Sequence, residues 1–251
     1  MLTDPHIYAP DGHPWNITTL INASGMRVTF MDWGATWLSA RIPMKDGSVR
    51  EALLGCDTPA DYLCQQAYLG ATVGRYANRI ANAILPASPH HPMIKLVANQ
   101  GEHQLHGGPK GFHARRWKIE HHDDSEVIYS LFSPDGDQGF PGNLRVTLRY
   151  RLEDDNTLSI QYQAAVDQHC PVSLTNHAYF NLDQQHNDSR QHQLKIIAEH
   201  YLPVDSEGIP VDGLKSVAGS SFDFRQAKSI AQDFLAYDDQ RNVKGYDHAF
   251  C

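Results

Sequence analysis

The 251-residue sequence has no long apolar run, no C-x-x-C spacing and no excess of basic side chains. Each absence closes a class. Without some 18 to 20 consecutive apolar residues, no membrane-crossing helix is expected. The opening MLTDPHIYAP carries an acid and two prolines, where a secretory leader would carry basic residues and then an apolar stretch. Four cysteines (Cys56, Cys64, Cys170, Cys251) in no C-x-x-C arrangement speak against a zinc ribbon or a thioredoxin-like pair. Free thiols fit a reducing compartment, so a cytoplasmic protein is expected. With 21 basic against 29 acidic side chains, the formal charge of -8 repels phosphate backbones and anionic lipid. Neither a nucleic acid nor a membrane is an expected partner.

Apolar residues at 41% and charged residues at 20% are ordinary globular usage, and the length suffices for a sizeable core. One domain over residues 1–251 is expected, with no repeat or linker. Helical spacing is scarce. In LRVTLRYRL, Leu144, Val146, Leu148, Tyr150 and Leu152 alternate with Arg145, Thr147, Arg149 and Arg151, as a strand with one wet face requires. TLSIQYQAAV repeats that period after the turn-forming EDDN, which predicts an antiparallel hairpin. NITTLIN, MRVTFMDW, TWLSARI, EVIYSLF and QLKIIAEHYL are further strand candidates, and TPADYLCQQA is the best helical one. The predicted fold is all-β, a large antiparallel β-sandwich.

Four stretches mix glycine with polar and aromatic residues beyond what a strand needs. GRYANRI holds Arg75, Asn78 and Arg79, either an exposed basic face or a fork of guanidinium and carboxamide suited to hydroxyl groups. LHGGPKGF places His106 before two glycines, which serve a tight turn or a close backbone approach. SPDGDQGFPGNL reads as turn chemistry with Asp135 and Asp137. In VSLTNHAYFNL, strand alternation puts Ser173, Thr175, His177 and Tyr179 on one face and Leu174, Asn176, Ala178 and Phe180 on the other. His177 is then either a satisfied structural histidine or an acid facing a substrate. Most of the fifteen histidines lie in polar stretches and read as solvated. His103 and His106 are three apart and His121 and His122 adjacent, but no carboxylate spacing completes a facial triad or a tetrahedral site, so no metal is expected. The aspartates give no opposed pair for glycoside hydrolysis.

Taken in order, GRYANRI, LHGG, SPDGDQGFPGNL, TNHAYFNL and GYDHAF resemble the aldose 1-epimerases, or galactose mutarotases. The resemblance runs from near the N-terminus to the last residue. It implies a mutarotase-like supersandwich whose concave sheet binds a free aldohexose such as galactose or glucose, with no cofactor, in a monomer or dimer. It also implies interconversion of α and β anomers by ring opening, rotation about C1–C2 and reclosure. Carried over by motif, His177 is the general acid at the ring oxygen and His106 a second catalytic imidazole. Asn78, Arg79, Tyr179 and Asp247 are expected to hold sugar hydroxyls. An acid and a base must face the sugar together, and imidazole titrates near working pH.

The sequence departs from the family beyond GYDHAF. The resemblance implies a glutamate base well downstream of Asp247, whereas Cys251 is the last residue here. The expectation is therefore a sandwich lacking the family's C-terminal part, with strand edges left open and either impaired catalysis or, as the alternative, a non-catalytic sugar-binding sandwich or inactive fragment.

Overall fold

The computed structural model describes residues 7–183 and 188–251. Its residues group into two compact units, 1–181 and 182–251. The first residues of the opening MLTDPH stretch lie outside the described residues.

The first unit is built from two four-stranded antiparallel sheets. One runs β1 (Ile17–Ile21), β2 (Arg27–Met31), β3 (Thr36–Pro43) and β4 (Val49–Glu51). The other runs β5 (Lys118–His122), β6 (Glu126–Ser133), β7 (Leu144–Leu152) and β8 (Leu158–Val166). In β7 every apolar residue of the alternating set is buried. Pairing of Leu144 with Val166 through Leu152 with Leu158 closes the hairpin across EDDN. β8 is an edge strand, with Leu158, Ile160 and Tyr162 only half-buried.

The sheets face each other across a shared core. Leu20, Val28, Phe30, Trp37 and Ala40 from the first meet Val127, Tyr129, Leu131, Val146, Leu148 and Tyr150 from the second. Phe30 stacks on Tyr150 at 4.2 Å between centroids. The polar ends of the buried tyrosines are satisfied, as burial demands: Tyr150 donates to the Ala35 carbonyl at 2.9 Å and Tyr129 pairs with the Thr18 hydroxyl at 3.0 Å. Burial pushes both phenols well above their usual range, Tyr150 to about 12.

Three expectations differ. TPADYLCQQA forms only one 3-10 turn, Pro59–Leu63, started by Thr58, whose N–H and hydroxyl both donate to Asp61. QLKIIAEHYL is not a continuous strand; only Gln193–Leu194 and His200–Tyr201 pair, with Lys228–Ser229 and Lys215–Ser216. VSLTNHAYFNL contributes just Thr175–Asn176, paired with Thr72–Val73. The alternation in that segment holds as far as Ala178, because Leu174 and Ala178 lie against the core and Asn176 points inward, whereas Phe180 is largely exposed.

The described residues of the second unit are mostly loops around an aromatic cluster of Tyr201, Phe222, Tyr246 and Phe250, with a short α-helix, Asp238–Asn242, and a 3-10 turn, Ser189–Gln191. No helix among the described residues is long and apolar enough to cross a membrane. The four cysteines are free.

Candidate active site

The site is assembled where the 70–79 segment runs beside 172–179. His177 is fixed by its backbone: its N–H donates to the Ala71 carbonyl at 2.9 Å and its carbonyl accepts from Gly70 at 3.0 Å. Gly70 has φ +64°, and a Cβ there would stand 2.0 Å from the Trp37 carbonyl oxygen, so only glycine fits. Asn176 locks the same corner, donating to the Gly70 carbonyl and the Tyr150 hydroxyl and accepting from the Ala178 N–H. The sequence reading gave this carboxamide no role. Its small polar side chain on the core face was the available signal.

Asn78, Arg79 and His106 come together through a two-residue ladder pairing Arg79 with Leu105. The His106 N–H donates to the Asn78 carbonyl, and the Asn78 N–H donates to His106 Nδ1, both at 3.0 Å. Both residues hold positive φ, +66° at Asn78 and +52° at His106, a conformation uncommon outside turns and functional sites. Gly107 explains the paired glycines: a Cβ there would lie 1.9 Å from the Gly74 carbonyl oxygen, so the close approach is to backbone. Arg79 donates to Gln100 at 2.7 Å and to Asn78 at 3.2 Å.

Across this junction the His106 and His177 rings meet edge to face, 5.1 Å between centroids. Tyr179 stacks on His177, also at 5.1 Å. Five of the six sequence-predicted residues therefore form one group. Asp247, the sixth, belongs to the second unit, exposed between Tyr246 and His248, whose rings both pack on Phe222.

A backbone N–H can only donate, so His106 Nδ1 accepts and the neutral ring carries its proton on Nε2. Burial, and then the neighbouring His177, His113 and Arg79, lower its pKa to about 3. His106 is thus a fixed neutral donor across the physiological range. His103, its neighbour in sequence, likewise spends Nδ1 on the Asn82 N–H at 2.9 Å.

His113 went unnoticed in the sequence. It is pushed down to about 4 by burial, and its buried Nδ1 has no partner among the described residues. It sits edge-on to Tyr68 at 4.8 Å, in a cleft of about 550 Å³ lined also by Trp33, Tyr62, Asn99 and Gln100. His106 and His113 are held neutral when folded, while an unfolded histidine takes its proton near 6.5. Between about 6.5 and 4 the unfolded chain binds more protons, so stability falls as pH falls through that window. Urea unfolding should show a loss of about 1 kcal/mol per pH unit for each ring, and His113→Leu should flatten the slope.

Arg75 is not an exposed basic residue. It is buried and donates to the carbonyls of Ser133, Pro134, Pro141 and Gly142 and to the Ser133 hydroxyl, with Phe140 under its guanidinium. Asp135 and Asp137 are spent in the same loop: Asp135 accepts from the Gly142 N–H, and Asp137 accepts from Ser133 and pairs with Arg115 at 2.6 Å. Arg116 pairs with Asp11 and Asp32.

One cluster of ligand-type residues was not among the spacings weighed in the sequence. Among the described residues, His121, Asp123 and Glu126 bring ligand-type atoms within 4.8 Å of one another, next to a register shift between Ile119 and His121. The Asp123 carboxylate is already held by Ser125 and Glu126 N–H groups, and Glu126 by Arg149. The group is an exposed turn network.

A β-sandwich that sets two imidazoles, a guanidinium and a carboxamide on one rim defines a protein built for acid–base work on a small polar molecule. The family model described as Aldose 1-epimerase matches residues 16–251. Aldose 1-epimerase of Escherichia coli (strain K12) is 61% identical over 250 residues, covering 100% of this chain and 72% of that protein. The corresponding protein of Haemophilus influenzae is 53% identical, with the same coverage. A galactose 1-epimerase structure from Lactobacillus acidophilus superposes with a TM-score of 0.84 at 32% identity, covering 97% of this chain and 71% of that one. This chain belongs to the aldose 1-epimerase family and is an isomerase.

Proposed function

We propose that the protein interconverts the α and β anomers of free aldohexoses, galactose and glucose among them. The observation that carries this reading is the edge-to-face pair of His106 and His177, with Asn78 and Arg79 joined to it. His177 gives its proton to the ring oxygen O5 as the C1–O5 bond breaks, while the proton on O1 leaves to a base and C1 becomes the aldehyde carbon. Rotation about C1–C2 and the reverse proton movements close the other anomer. His106 donates from Nε2 beside O5. Arg79, Asn78, Tyr179 and, by the resemblance, Asp247 hold the hydroxyls, and the same resemblance assigns the base to a glutamate downstream of Asp247.

Polarimetry tests the reading. Freshly dissolved α-D-galactose is expected to reach its equilibrium rotation faster with the protein than without it, and an unchanged rate would refute the assignment. Calorimetric titration checks the binding half. Arg79→Lys is expected to weaken galactose binding roughly tenfold, because a point charge replaces a planar fork.

A further inference from the structure

Tyr68 lies at the centre of the site yet belongs to none of the motifs. Its ring meets His106 edge-on at 4.6 Å and His113 at 4.8 Å, and lies 30° from the plane of His177 at 5.9 Å. With the 5.1 Å contact between His106 and His177, Tyr68 and the two catalytic imidazoles form a closed triangle of rings. The backbone repeats the connection: the Tyr68 carbonyl accepts from the Ala71 N–H, and the Ala71 carbonyl accepts from His177. Tyr68 itself is held at φ +55°, an unfavourable conformation for an aromatic residue that the surroundings must enforce.

The phenol end meets the other half of the site. Burial raises its pKa, opposed by the Arg79 charge and the Asn99 carboxamide. Asn99 in turn clamps Leu105, accepting from its N–H at 2.7 Å and donating to its carbonyl at 3.0 Å. Leu105 precedes His106, and Gln100 holds Arg79.

We propose that Tyr68 is a positioning residue for the anomer exchange: its ring sets the mutual orientation of His106 and His177, and its packing keeps water from the imidazole pair. The proposal rests on the functional reading above. It acts through the two histidines, so its signature is on turnover and on imidazole titration and not on sugar affinity.

The experiment compares wild type with Tyr68→Leu and Tyr68→Phe by polarimetry across pH and by following the histidine Cε1–H resonances in the sugar-free protein. Tyr68→Leu is expected to lower kcat roughly tenfold, since small misplacements of reacting groups are costly, with KM for galactose within about threefold. The His177 resonance should titrate roughly half a pH unit higher as water replaces the ring. Tyr68→Phe keeps the ring and should restore the His177 midpoint and most of kcat; it serves as the test if the leucine variant does not fold. Unchanged kcat and unchanged histidine midpoints in a folded Tyr68→Leu protein, or a Tyr68→Phe protein as impaired as Tyr68→Leu, would overturn the proposal. The two readings fail separately, because the titration needs no turnover and a wild type without mutarotation would defeat only the functional one.

Discussion

Replacing His177 with alanine is expected to remove the acceleration of anomer exchange while leaving the fold in place. A positioned general acid is worth about 10²–10⁴ in rate, and sugars mutarotate unaided, so a loss of that size returns the reaction nearly to its background. The fold should tolerate the change, since the His177 backbone is tied to Gly70 and Ala71. Galactose affinity, which the proposed function assigns to Arg79, Asn78, Tyr179 and Asp247, should change by less than about tenfold. The paired measurement is polarimetric rate against calorimetric affinity. A variant that keeps the wild-type rate would remove His177 from the mechanism.

The largest expected effect on stability lies at Arg75. Methionine there fills part of the volume but removes the guanidinium from the carbonyls of Ser133, Pro134, Pro141 and Gly142, of which Pro134 keeps the Asp137 N–H. Each buried acceptor stripped of its partner costs about 1–3 kcal/mol where water cannot reach it, and losing the buried charge network as a whole should cost about 3–5 kcal/mol in urea unfolding. Arg75→Lys should recover little, because an ammonium cannot reach this spread of acceptors. Arg75 also ties the 74–79 segment to the 133–142 loop, so Arg75→Met should lower sugar affinity without touching sugar. A stability loss below about 1 kcal/mol would mean that the carbonyls find water instead.

Arg75 and Asn78 illustrate what a sequence reading sees. They sit three residues apart in GRYANRI and look alike as polar candidates, yet Arg75 turns into the body of the protein and Asn78 onto the site. Local pattern carries no sign for that difference. The choice depends on the 133–142 loop, nearly sixty residues away, whose carbonyls at Ser133, Pro134, Pro141 and Gly142 converge on the guanidinium. Similarly, the histidine before the glycine pair was legible as a candidate, whereas its neutral Nε2–H form follows from one backbone N–H of a distant segment. Tyr68 and His113 had no signal of their own; each matters through rings contributed by other stretches.

By itself the sequence determined the strand alternation of the two large sheets, because side-chain period is a local property, and the resemblance carried by its five ordered motifs singled out His177, His106, Asn78, Arg79, Tyr179 and Asp247. Tertiary structure alone decided that five of these meet in one place, that His106 is a neutral donor and that Arg75 is a buried clamp. Burial, tautomer and hydrogen-bond pairing depend on partners brought from far along the chain, and no spacing in a single stretch encodes them.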